Sequence, residues 1–195
     1  MSMPTASDQM HEPGLSPELE SRIGRIVGAV AAFLAVAGGL LLLFLVAMTV
    51  ISITGRAFVG VFHFAPLNRL GPVPGDFEMV SAGCAVAVCA FLPWCQYRRG
   101  HVTVDVFITP LSGRWKAVLS LVGNVLMTVA AVLIAWRMQL GLADKLSYNE
   151  TTMILEMPVW YGYAGAVVGL WVFALTSLYT VWRSINEIAA GREGP

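Results

Sequence analysis

The stretch IVGAVAAFLAVAGGLLLLFLVAMTVISITG occupies residues 26–55. Its 30 residues pass without one Asp, Glu, Lys, Arg or His. A helix rises ~1.5 Å per residue and a bilayer's hydrocarbon core is ~30 Å thick, so ~20 apolar residues cross it. This run crosses with residues to spare. Three further runs are equally free of acidic and basic side chains, at 79–97, 117–136 and 157–182. The period-two alternation of a membrane barrel is absent, and a helix satisfies its own backbone in lipid. The pattern predicts an all-α fold, an integral membrane four-helix bundle.

The rest of the chain agrees. Of 195 residues, 57% are hydrophobic and 12% charged, against ~25% charged in soluble domains. Twelve basic and twelve acidic residues cancel, so no basic face points to nucleic acid. The first 20 residues carry Asp8, Glu12, Glu18 and Glu20 and no apolar core, which is not the pattern of a signal peptide. The expected organisation is a disordered cytoplasmic tail at 1–20, a four-span domain at 21–187 and a second cytoplasmic tail at 188–195.

Lys and Arg outside the runs set the expected orientation. The N-terminal segment, the loop after span two and the C-terminal segment hold eight, and the other two loops hold four. The positive-inside rule places both termini and the second loop in the cytoplasm. Trp94, Trp115 and Trp182 then fall at inner span ends, Trp136 and Trp160 at outer ends, as an aromatic belt would have them.

The runs themselves offer little chemistry. They hold no ionisable carboxylate, base or histidine, whereas a coupled transporter keeps such a group or a broken helix near the midplane. His11, His63 and His101 lie outside the runs, so no pair of haem ligands faces into a bundle. Cys84, Cys89 and Cys95 read as small apolar residues. No enzyme activity, metal or cofactor is expected. Gly165-x-x-x-Gly169 and Gly24-x-x-x-Gly28 offer close helix approach. Ser120, Asn124 and Thr128 form a mildly polar stripe suited to bonding a neighbouring helix. Asn149-Glu-Thr151 matches a glycosylation sequon to which no role is assigned.

The densest polar segment follows span two: Arg98, Arg99, His101 and Asp105, with Val104, Phe107, Ile108 and Leu111 at helical spacing. Thr103 caps its start, Asp105 suits its first turn and Pro110 ends it. A short interfacial helix on the cytoplasmic surface is expected. At these residues the chain resembles the small, Q-type membrane subunit of tripartite ATP-independent periplasmic (TRAP) transporters. The family pattern has an Arg after span one (Arg56), an acidic residue opening span two (Glu78) and Arg99-Gly100-His101-Val102-Thr103-Val104-Asp105 after it. Leu155-Glu-Met-Pro-Val-Trp160 resembles the family's opening of span four. Asp76-Phe-Glu78 departs from the adjacent acidic residues of many members, leaving both carboxylates as candidates for that role.

The resemblance implies an accessory subunit in the bacterial inner membrane. It would brace a large permease subunit during sodium-driven uptake of an organic acid delivered by a periplasmic substrate-binding protein. Arg56, Glu78, Arg98, Arg99, His101 and Asp105 become candidate contacts to partner or membrane lipid, and Arg56 is expected to approach Glu78. The alternative is an autonomous four-span transporter acting as a homo-oligomer.

Overall fold

The first apolar run forms the middle of a much longer helix. The computed structural model describes residues 17–61, 74–98 and 113–189, and its helix α1 runs Pro17–Val61. At 45 residues it is ~67 Å long, about twice the hydrocarbon thickness. It begins inside the stretch read from sequence as a tail. Proline suits a first turn whose amides have no intrahelical acceptor. Helix α2 is Asp76–Tyr97, α3 Gly113–Tyr148 and α4 Trp160–Ala189. Each contains a stretch long and apolar enough to cross a membrane: Arg22–Ala57, Asp76–Tyr97, Leu121–Tyr148 and Trp160–Asn186.

The helices pack in the order α1–α2–α4–α3, with a lesser contact between α1 and α4. Half of the apolar stretch of α4 is buried, against 17%, 17% and 11% in α1, α2 and α3. Helix α4 is therefore the core, and α1 and α3 stand at the ends of the row. Helix α1 meets α2 along a narrow seam: Ala31, Gly38, Leu45 and Ser52, seven residues apart, are buried. That repeat is the seam of a left-handed helix pair. The rest of its circumference is apolar and open, as at Phe33, Leu40, Leu43 and Ile51.

The contact between α2 and α4 is closer, because glycines line it. Gly162 lies against Ala82, Gly165 against Val86 and Gly169 against the Cys89 backbone. Pro93, inside α2, has no N–H to offer the Cys89 carbonyl one turn back. That carbonyl is where Gly169 approaches. The second glycine pair is also filled from within. Tyr179 of α4 occupies the space beside Gly24 and Tyr97 of α2 that beside Gly28. Neither Gly-x-x-x-Gly motif is left open for another chain.

Helix α3 continues twelve residues past Trp136, the expected end of its span. The continuation Arg-Met-Gln-Leu-Gly-Leu-Ala-Asp-Lys-Leu contains mostly good helix formers. Asn149, at φ 47°, then ends the helix in the left-handed conformation that asparagine tolerates. Helix α3 runs antiparallel to α4. Asn124 bonds Ser184, Ala131 packs with Phe173 and Ala174, and Gly141 meets Tyr163. Arg137 lies between the last two contacts, level with about residue 167 of α4.

Candidate functional site

At the acidic end of the bundle a left-handed turn at Gly75 (φ 75°) starts α2, with Leu155 filling the space a side chain there would need. The turn aims Asp76 at α1. Its Oδ2 accepts from Ser52 Oγ at 2.6 Å and from Arg56 Nη2 at 3.0 Å. Its Oδ1 accepts from the Phe77 amide at 2.8 Å. The partner of Arg56 is thus Asp76 and not Glu78, as the sequence had led one to expect. Two residues advance ~200° around a helix, so the two carboxylates face opposite sides. Glu78 takes the amides of Ile154 at 2.9 Å and Leu155 at 3.1 Å, one on each oxygen. It pins the segment joining α3 to α4.

That segment is itself a tight loop. Thr152 N–H donates to Met157 O and Val159 N–H to Glu150 O, while Lys145 reaches Glu150 from the last turn of α3. Phe77, Met153 and Ile154 stand exposed around the pinned loop.

Lower in the bundle, polar side chains tie α4 to both neighbours. Gln96 Nε2 donates to Thr180 Oγ1 at 2.9 Å, and Asn124 Nδ2 to Ser184 Oγ at 2.9 Å. The expected polar stripe on α3 thus does reach a neighbour at Asn124, whereas Thr128 bonds back to the Asn124 carbonyl. Gln96, Thr176, Ser177 and Thr180 are all 2% exposed or less. Sequence reading missed the α4 half of this joint. The signal was present: Thr176, Thr180 and Ser184 recur every four residues, the same spacing noted on α3. At the basic end Trp94, Tyr97, Tyr179 and Trp182 form a chain of ring contacts. Arg98, just beyond α2, lies 5.1 Å from the Trp94 ring centre. Arg99, His101, Asp105 and the expected interfacial helix lie outside the described residues.

Two residues assigned to span boundaries sit elsewhere. Arg137 and Trp136 are exposed at the level of about residue 167, while the apolar run of α4 extends from 157 to 182. In α2 the same level falls between Val86 and Cys89, which face Gly165 and Gly169, in the middle of its own run of 79–97. Arg137 is thus level with the middle of both neighbouring apolar runs and not with their ends. On insertion scales an arginine at the centre of a span costs ~2.5–3.5 kcal/mol, and more in bare hydrocarbon. Trp171, level with this region, donates to Gln139 Oε1 at 2.8 Å.

Among the described residues, no group of three acidic, Cys or His side chains is gathered as a metal site. The acidic network and the polar joints link helices to each other and to one loop. Together they define a multi-pass all-helical membrane protein whose buried polar groups serve assembly. The chain belongs to the DctQ family: the family model described as "Tripartite ATP-independent periplasmic transporters, DctQ component" matches residues 45–187. It is a family of transporter components, so the chain is the small component of a TRAP transporter. No curated protein and no solved structure matches the chain.

Proposed function

We propose that the chain braces the large permease subunit of its transporter during sodium-driven uptake of an organic acid, which a periplasmic substrate-binding protein delivers. The observation that carries this reading is the use of the polar side chains. Ser52, Gln96, Asn124, Thr180 and Ser184 join helices, and broad apolar faces on α1 and α3 remain open. A rigid internal frame with open apolar flanks suits a support better than a moving carrier. The subunit is placed in the inner membrane with both termini in the cytoplasm, following the distribution of basic residues. Arg98, Arg99, His101 and Asp105 then lie on the cytoplasmic side, as contacts to the permease or to anionic headgroups.

Reconstitution into vesicles tests the proposal. Uptake of organic acid on a sodium gradient is expected only when this chain, the permease and the binding protein are all present. Uptake by this chain alone would establish the homo-oligomeric carrier instead. A fluorescent protein fused to the C-terminus should fold and fluoresce, as it does only on the cytoplasmic side.

A further inference from the structure

We infer that the open face of α3 is the surface covered by the large subunit, and that Arg137 pairs there with a carboxylate on one of that subunit's membrane helices. The inference rests on the assembly proposed above and assigns it a face. Leu126, Ala130, Leu133, Arg137, Leu140 and Asp144 follow one another at alternating steps of four and three, and all are exposed. That alternation is the seam by which paired helices meet. Small residues ease the approach: Ala130 is on the seam, and the space beside Gly123 is empty to 4 Å.

The charge decides the occupant. Arg137 lies level with a point about ten residues from the start of the α4 apolar run and about fifteen from its end, ~15 and ~22 Å along the axis. An arginine side chain is far shorter than that, so snorkelling to a headgroup phosphate does not relieve it. The ring of Trp136, 5.9 Å from the guanidinium carbon, tempers the charge without neutralising it. No described carboxylate forms an ion pair with it. A second copy of this chain, related by a two-fold axis along the membrane normal, would set Arg137 against its own equivalent. Helix α1 supplies the contrast: it has no charged residue between Arg25 and Arg56, and its open face suits lipid. Only α3 presents a cation at mid-depth, and an anionic partner helix meets it.

The test uses the full chain expressed with the large subunit. A photo-reactive amino acid is placed at Leu133, at Leu140 and, for comparison, at Leu43 on the open face of α1. Crosslinks to the large subunit are expected from the two α3 positions and not from Leu43. Co-purification is measured in parallel. Arg137→Glu should lower the recovered complex at least tenfold and Arg137→Gln several-fold, with Arg137→Lys close to wild type. Crosslinking keeps Arg137 intact, so its result stands even where a variant misfolds. Crosslinks from α3 only to lipid or to a second copy would overturn the inference, as would Arg137→Glu assembling at wild-type yield. A wild-type pair that never co-purifies would instead overturn the proposed assembly itself.

Discussion

Helices α2 and α4 are joined in a different way from α1 and α3, though all four are apolar enough to cross a membrane. The inner pair runs parallel and in close contact, with Gly162, Gly165 and Gly169 against α2 and a buried hydrogen bond between Gln96 and Thr180. The outer helices each hold on by one side. In lipid, apolar side chains gain nothing from leaving the bilayer for one another, so association depends on close packing and polar joints. The inner pair has both. The outer helices have polar joints along one seam each, Ser52 and Arg56 on Asp76 for α1 and Asn124 on Ser184 for α3, and their open faces require lipid or another subunit. The shape of the molecule is thus a closed centre with two open edges.

The largest effect should come from closing the glycine gap at the centre. A Cβ on Gly169 would lie 2.7 Å from the Cys89 carbonyl carbon and oxygen, and backbone cannot step aside as a side chain tip can. Gly169→Leu should destabilise the fold by about 3 kcal/mol or more. Gly39 has nothing within 4 Å. Gly39→Ala should be neutral or stabilising by up to ~1 kcal/mol through helix propensity. Unfolding titrations in mixed micelles would measure both. Equal responses would erase the distinction between centre and edge.

A smaller effect belongs to the buried joint. Gln96 is 2% exposed and its Nε2 is bonded, whereas its Oε1 has no partner. Gln96→Ala removes a bond and leaves a void, at a cost of about 1–2 kcal/mol. Gln96→Leu fills the void and removes the unpartnered oxygen, so it should cost less than the alanine. If leucine is the worse of the two, its branched shape does not fit the site and overpacking outweighs the filled void. At the edge, the coupling between Asn124 and Ser184 should be ~0.6 kcal/mol, the average for such bonds between membrane helices. A double-mutant cycle resolves it.

The sequence reveals the four spans because exclusion of charge is a property of each helix by itself. The relative depth of the spans is not such a property. Arg137 ends a charge-free run of 20 residues without ending the helix. Only the contacts of Ala131 and Gly141 with α4 show that it lies level with the middle of the α4 run. The glycine pairs were legible as places of close approach, but which helix fills them depends on Tyr97 and Tyr179 arriving from elsewhere in the chain. The polar joint was half legible. Ser120, Asn124 and Thr128 stand out on α3, whereas the matching Thr and Ser residues of α4 are hidden among small apolar neighbours.

The acidic residues show the same limit and set the smallest expected effect. Sequence position leads one to expect Arg56 beside Glu78, with Asp76 and Glu78 both candidates for the family's acidic role. The turn at Gly75 separates them, one toward α1 and one toward the 149–159 loop. Arg56 has a side chain 58% exposed, so its pairing with Asp76 is weakened by water and by salt. Two double-mutant cycles at low ionic strength distinguish the carboxylates. Arg56→Ala with Asp76→Ala should show coupling that fades as salt is added; Arg56→Ala with Glu78→Ala should show none. Loss of Glu78 has a separate signature, because its oxygens hold the Ile154 and Leu155 amides. Glu78→Gln keeps one oxygen acceptor and removes the other, so exchange of those two amides with deuterium should quicken while those of α1 stay protected. Faster exchange in Asp76→Ala at the same amides would mean that the two carboxylates act as one network. The loop would then be tied to α1 as well as to α2.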